Sequence, residues 1–464
     1  MRRVAFLLAL LLAGALSASP APSSSKPLWT KRVTWSPDGQ WIAVSRMPDY
    51  GFGVILARPD GSAVKALKIS AYRGLWSPDG TRVADSSGSS LVVESVSDGR
   101  LDTVGPYPFF GKSFDWSPDS EQLVYDADGK LFVVGRDGSG RRELPRGHTP
   151  SWSPDGLDVA FGRWTSDGCQ SDIAVVGADG SGERTLAVGP EGRVGPVWSP
   201  DGSRLAYRSA CNESVWVVNR DGSGERLVGD ASQSGRFGFP LDWSADGRWL
   251  AAHGSWPGRT TLLEVDGSGR ASFETSGPAT WSPTNDRILF ARETDRGAKV
   301  FVGSTDGFER EIGFGVSADW SPDGTRIALL RSVYLDTLYA ACAEQLLIVD
   351  LAGHVQAGLT PCRLEGGSRS DRIVGTPGPD TVSGRRGNDR LYGGMGDDVL
   401  SGGEGADRLY GGLGRDRIQA GAGGDRIGTR DGVADRVVCG RGKDVVLADS
   451  LDAVDGSCER ITRG

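Results

Sequence analysis

The chain has 464 residues, 24% of them charged, and a formal net charge of −8. No basic excess marks it for nucleic acid, which is not expected as a partner. With 69 glycines and 24 prolines, turns dominate and a helical bundle or coiled coil is excluded, while the length leaves room for two domains.

At the N-terminus, Arg2-Arg3 precede an apolar run from Val4 to Leu16, followed by Ser17-Ala18-Ser19 and a Pro/Ser-rich stretch. Residues 1–19 therefore read as a secretory signal peptide, too short to span a bilayer. The mature protein is expected to be secreted and extracellular. No later segment is apolar for long enough to cross a membrane as a helix, so no membrane span is expected.

Next comes a repeat. WSPDG or a close relative occurs eight times, at Trp35, Trp76, Trp116, Trp152, Trp198, Trp243, Trp281 and Trp320, with spacings of 36 to 46 residues. That is the length of one four-stranded propeller blade. Each copy has an apolar strand leading into the Trp, then a Ser-Pro-Asp-Gly turn and a second strand (Trp41–Ser45, Arg204–Tyr207, Arg326–Leu330). A variable loop and a third strand follow (Leu131–Gly135, Val215–Asn219). A second Asp-Gly turn, as at Asp137-Gly138 and Asp221-Gly222, precedes the fourth strand. Proline presets φ, and glycine takes the left-handed conformation that closes such a hairpin. The tryptophan supplies a large buried surface between blades. The aspartates read as turn formers rather than ligands.

These features resemble the WD-like propeller repeats of TolB and of the non-catalytic domain of prolyl oligopeptidases, over residues 28–362. The resemblance implies a propeller of eight blades, or seven if one repeat is absorbed, since WSADG at Trp243 and WSPTND at Trp281 depart from the pattern. It also implies a scaffold that binds a protein, peptide or cell-surface ligand. The alternative is an extracellular enzyme acting on polysaccharide or peptide in the central channel. No nucleophile elbow, zinc-protease helix or phosphate loop is present. The three histidines, His148, His253 and His354, are isolated in sequence, so no catalytic residue is assigned.

A short polar stretch, 363–370, reads as a linker. Beyond it an aspartate returns every ninth residue, at Asp371, Asp380, Asp389, Asp398, Asp407, Asp416 and Asp425. After a one-residue slip the series resumes at Asp435 and Asp444. Two residues after each stands an aliphatic side chain. Three turns match G-G-x-G-x-D in full, ending at Asp398, Asp407 and Asp416. This pattern resembles the calcium-binding nonapeptide repeat of RTX (hemolysin-type) proteins, which implies a parallel β-roll over residues 371–464 and Ca2+ as its cofactor. The metal ligands implied are Asp389, Asp398, Asp407, Asp416 and Asp425, together with turn backbone at Gly394, Gly396, Gly403, Gly405, Gly412 and Gly414. The turns Gly393–Asp398 and Gly411–Asp416 form the leading site. Two nonapeptides make one coil, so aspartates 18 apart stack about 4.8 Å apart, a column that repels itself unless a cation intervenes.

Arginine offers a metal-free alternative. Six of the nine aspartates are followed directly by Arg, and residues 371–464 carry 16 acidic against 14 basic side chains. If those guanidinium groups fold back, the roll is a purely structural solenoid.

Six cysteines fit an oxidising compartment. Sequence order and loop equivalence favour Cys169–Cys211, Cys342–Cys362 and Cys439–Cys458, the last closing a cap on the roll. The fold class is thus all-β, a propeller followed by a parallel β-roll.

Overall fold

The computed structural model describes residues 32–46, 53–61, 63–69, 75–87, 89–106, 114–164, 171–189, 192–209, 214–230, 241–253, 258–284, 286–295, 297–332, 339–340, 344–358, 362–376 and 378–463. Residues 1–19 lie outside that set, as do Cys169, Cys211, Cys342 and the side chain of Cys362. The expected signal peptide and two of the expected disulfides fall there.

The architecture is all-β. Eight antiparallel four-stranded sheets follow one another through residues 32–66, 75–106, 114–146, 148–187, 193–230, 242–275, 280–314 and 317–358. The propeller has eight blades, and the departing repeats at Trp243 and Trp281 each build a complete one. The strands expected from sequence recur within a few residues, as Ile42–Arg46, Arg204–Ser209, Arg326–Ser332, Lys130–Gly135 and Ser214–Asn219.

Every repeat tryptophan is buried, and most of them tie blade to blade. The ring N–H of Trp116, Trp198, Trp243, Trp281 and Trp320 donates at 3.1–3.2 Å to the carbonyl of Leu75, Ser151, Val197, Asp242 and Thr280 respectively. Each acceptor immediately precedes the tryptophan of the blade before. Trp198→Ala should therefore cost the propeller about 3–5 kcal/mol, whereas Trp198→Phe, which keeps most of the ring and loses the hydrogen bond, should cost about 1–2 kcal/mol. Urea denaturation followed by tryptophan emission separates the two.

The WSPDG aspartates serve their own turns. In the seven copies that keep it, the carboxylate accepts the hydroxyl of the motif serine at 2.5–2.6 Å. The same oxygen accepts the N–H two residues on at 3.0–3.1 Å. These bonds hold the carboxyls of Asp201 and Asp323 down to about 2, with the motif serine the largest cause in each.

The ring closes without exchanging a strand. The Trp35 N–H donates to Asp319 Oδ2 at 2.8 Å and the Val33 N–H to Ser317 Oγ at 3.2 Å. Burial at this seam pushes the Asp319 carboxyl up to about 7.

The C-terminal region is a parallel β-roll of two facing sheets, whose strands pair at an offset of about 18 residues. One sheet runs through Cys362–Glu365, Asp380–Arg386, Val399–Glu404, Arg417–Ala422, Arg436–Arg441 and Ala453–Val454. The other runs through Arg372–Val374, Arg390–Met395, Arg408–Leu413, Arg426–Gly428, Val445–Ala448 and Arg460–Arg463. Cys362–Glu365 pairs in register with Asp380–Ser383, so the polar stretch 363–370 already contributes a rung and its turn. Between the sheets lies a core one side chain wide, a stack of fully buried Leu364, Ile373, Val382, Leu391, Leu400 and Leu409 that continues through Ile418, Ile427, Val437 and Val446. So narrow a core buries little apolar area per rung, and the polar groups at its edges decide whether it holds.

Candidate metal centre

The two edges of the roll are built from the turns that end on the repeat aspartates. In each turn the strand alternation puts the aliphatic residue inside, the intervening residue (arginine in six of the nine) outside, and the aspartate, preceding both, in the bend itself. Asp389, Asp398, Asp407, Asp416 and Asp425 are all essentially fully buried. They stack as two columns joined by one repeated hydrogen bond. The N–H of Asp371 donates to Asp389 Oδ1, Asp389 to Asp407 and Asp407 to Asp425, at 2.7–2.8 Å. On the opposite edge Asp380 donates to Asp398, Asp398 to Asp416 and Asp416 to Asp435, at 2.7–2.9 Å.

From Asp389 on, each aspartate thus spends Oδ1 on the N–H of the aspartate one coil before it. The second oxygen divides the series. In the first two turns it is consumed locally: Asp371 Oδ2 accepts the Gly367 N–H at 2.6 Å, and Asp380 Oδ2 accepts the N–H and hydroxyl of Thr376. From there on, Oδ2 of Asp389, Asp398, Asp407, Asp416, Asp425, Asp435 and Asp444 is buried without a hydrogen-bond partner. A buried anionic oxygen left unpaired is costly enough that it must take up a proton or be met by a cation.

The arginines do not supply it. Arg390, Arg417, Arg426 and Arg436 are exposed and Arg408 is half-buried. Among the described residues the ion pairs of the roll join Arg363 and Arg385 to Glu365 and Arg386 to Glu404, none to a repeat aspartate. The metal-free alternative therefore lacks its neutralising contacts.

What surrounds the orphan oxygens is backbone. A β-carbon placed on Gly393 would stand 2.4 Å from Asp398 Oδ2 and 2.3 Å from the carbonyl oxygen of Gly411 in the next turn of the same edge. On Gly402 it would stand 2.5 Å from Asp407 Oδ2 and 2.3 Å from the Ala420 carbonyl. Gly384 repeats the arrangement with Asp389 Oδ2 and the Gly402 carbonyl at 2.3 and 2.7 Å. In the turns ending on Asp389, Asp398 and Asp407 the first glycine keeps open a small space lined by a carboxylate and a carbonyl from different turns, whereas Ala420 and Cys439 stand at that position in the turns ending on Asp425 and Asp444. This donor set is all oxygen and fits calcium, which takes six to eight such ligands in flexible geometry. Among the described residues no three His, Cys, Asp or Glu side chains converge on one point. Main-chain carbonyls would have to supply much of any coordination shell.

The glycines singled out from sequence stand one and three places further along the same turns. Gly394, Gly396, Gly403, Gly405, Gly412 and Gly414 have φ between +108° and +135°, which favours glycine. A β-carbon on Gly412 would meet the Gly394 carbonyl oxygen at 2.0 Å, so these residues let turn stack upon turn. Motif matching alone missed the first glycines, because it records where glycine stands and not what the vacant side-chain space faces. It also stopped at Asp425, although the resumed register carries the same orphan oxygen to Asp435 and Asp444.

Electrostatics follow from burial. Desolvation first, then the neighbouring carboxylates Asp380, Asp416 and Asp397, push the Asp398 carboxyl up to about 8. Desolvation likewise raises Asp435 to about 7 and Asp416 and Asp425 to about 6, and lifts Asp389 and Asp407 above the ordinary range. Without a cation these groups resist ionising.

At the end of the roll, Cys439 and Cys458 form a disulfide 19 residues apart in sequence, with Cys439 inside the apolar stack. Cys458→Ser should lower the stability of the roll by about 3 kcal/mol in the chain-entropy account, read as a lower melting temperature than wild type under non-reducing conditions.

In the propeller, His253 is buried. Its Nδ1 accepts the Ala279 N–H at 3.3 Å, and burial drives the imidazole down to about 3. Burial also lowers His148 to about 4. His354 sits exposed beside Asp350 at 3.0 Å. The three histidines occupy three different blades, as their sequence positions suggested.

A family model for the RTX calcium-binding nonapeptide repeat matches residues 365–400 and 392–427. No curated protein matches. Among solved structures, a TolB-type protein of Agrobacterium tumefaciens is 22% identical, with 48% of this chain and 91% of that one covered at a TM-score of 0.34. The dipeptidyl peptidase 4 of Porphyromonas gingivalis is 12% identical, with 74% and 62% covered at 0.48. The Cps50 (Swd1) propeller domain of Myceliophteria thermophila is 14% identical, with 62% and 99% covered at 0.44. No described helix is long and apolar enough to cross a membrane. The chain carries an eight-bladed β-propeller and, after it, RTX calcium-binding nonapeptide repeats in a parallel β-roll.

Proposed function

We propose that this is a secreted protein whose roll is assembled by calcium and whose propeller is a binding scaffold for a protein, peptide or cell-surface ligand. The observation that carries the calcium reading is the column of buried, unpartnered Oδ2 atoms running from Asp389 to Asp444. The ligands are Asp389, Asp398, Asp407, Asp416 and Asp425, extended by Asp435 and Asp444, with carbonyls of the facing turns completing each shell. The site between Gly393–Asp398 and Gly411–Asp416 is the leading one, because both turns are intact and Asp398 is the most strongly perturbed carboxyl.

Residues 1–19 direct export, and calcium met outside the cell then draws the repeats together. Folding of the roll is thereby coupled to the compartment where its metal is plentiful. The scaffold reading of the propeller rests on its repeated aspartates, each of which is spent on its own turn. Capture of partners from the extracellular fraction, with and without chelator, tests the whole. Partners retained by wild type in calcium and absent from a mock capture are expected. A protein found only inside the cell with residues 1–19 still attached would contradict export.

A further inference from the structure

The roll places arginines with a regularity that holding a metal does not require. Both edges carry the same aspartate column, yet the outer faces of the two sheets differ. On the sheet that begins with Arg372–Val374, the outward residue after each aspartate is Arg372, Arg390, Arg408 and Arg426 in four successive rungs, laterally in register. On the other sheet the equivalent column is interrupted by Thr381 and Val399. Rungs lie about 4.8 Å apart, so the four guanidinium groups form a ladder roughly 14 Å long. Among the described residues none of the four makes an ion pair with a carboxylate of the chain.

Two residues further along each strand runs a second outward column. Its Tyr392 and Tyr410 rings stack with centroids 5.1 Å apart and planes 11° from parallel. Arg372 covers the outer face of Tyr392 at 5.3 Å. Tyr410 leans over Gly428, where a β-carbon would come within 3.0 Å of the ring. The ring faces are thus occupied, and ring edges and hydroxyls are what the surface offers.

We propose that this face of the roll binds an acidic polysaccharide, a chain with carboxylate or sulfate groups at regular intervals. A ladder of guanidinium groups without ion pairs is complementary to a linear polyanion, because each fork can donate two parallel N–H bonds to one carboxylate or sulfate. Tyrosine hydroxyls beside the ladder hydrogen-bond to a hydroxyl-rich ligand. Single-stranded nucleic acid is a poorer match, since it needs open aromatic faces on which bases stack. A flat sheet face does not enter the groove of a duplex. The ladder exists only when the rungs are stacked, so this inference rests on the calcium-assembled roll.

The test uses the full-length protein in millimolar calcium, titrated calorimetrically with hyaluronate, chondroitin sulfate and neutral dextran. Oligothymidylate and phosphatidylglycerol vesicles serve as competing polyanions. Wild type should bind hyaluronate, chondroitin sulfate or both in a salt-sensitive manner, and ignore dextran. The double variant Arg390→Gln/Arg408→Gln should bind about ten-fold more weakly, with its calcium-induced circular dichroism change intact. Hyaluronate against chondroitin sulfate separates carboxylate from sulfate recognition. The proposal is overturned if the double variant binds like wild type, if neither acidic polysaccharide binds, or if oligothymidylate or vesicles bind more tightly. A wild-type protein whose circular dichroism ignores calcium would instead indict the calcium reading on which the proposal stands.

Discussion

Withdrawing calcium from the full-length protein is expected to lower the melting temperature of the roll by about 10–20 °C or more. One site at a hundred times its dissociation constant contributes about 2.7 kcal/mol, and each kcal/mol moves a domain of this size by about 4–8 °C. Several orphan oxygens on two edges make one site a lower bound. The apolar stack is a single side chain wide, and it faces columns of buried carboxylates whose Oδ2 atoms have no hydrogen-bond partner. Calorimetry with and without chelator reads the shift. The last tryptophan of the chain is Trp320, so tryptophan emission reports the propeller alone and should melt at nearly the same temperature in both conditions. A roll transition that ignores chelator would refute coupled folding.

Asp398→Asn is expected to act with opposite signs in the two states. The Asp398 carboxyl is raised, to about 8, so the metal-free roll favours its protonated form. For such a group the stability contribution is full below the ordinary carboxylate pKa and is lost as pH rises through the raised value. In chelator the wild-type roll should accordingly weaken between pH of about 4 and 8, each unit of upward shift corresponding to about 1.4 kcal/mol. Asparagine cannot ionise, keeps an oxygen for the Asp380 N–H, and sets an amide donor toward the Gly411 carbonyl. In chelator at neutral pH the variant should be about 1–3 kcal/mol more stable than wild type. In calcium it should be less stable, having lost the stabilisation of one site. Melting curves across that pH range, with and without calcium, show both effects. A variant destabilised equally in both conditions would mean that Asp398 is merely structural.

Much of this was legible in the residues, for physical reasons that differ from place to place. Trp35 through Trp320 recur at blade spacing because each must reach the blade before it, and a repeating contact leaves a repeating letter. The aspartate and aliphatic positions of the roll are legible likewise, since stacked rungs repeat their environment. The direction of Arg408 and Arg426 was also within reach: in a strand a residue beside a buried Leu409 or Ile427 points the other way. The seam that joins Trp35 to Asp319 and Val33 to Ser317 was not, because it links residues 284 apart through two local hydrogen bonds. The cradle at Gly384, Gly393 and Gly402 was hidden as well. A glycine that leaves room for a ligand and a glycine that relieves a positive φ look identical in sequence.

The most direct measurement is calorimetric titration of calcium into metal-depleted full-length protein, wild type beside Gly393→Ala. The alanine methyl would occupy the space between Asp398 Oδ2 and the Gly411 carbonyl. The account predicts saturable uptake of several calcium ions by wild type, with release of protons at mildly acid pH, and the loss of at least one of those ions in the variant. Absence of calcium uptake by wild type at millimolar concentration would contradict it.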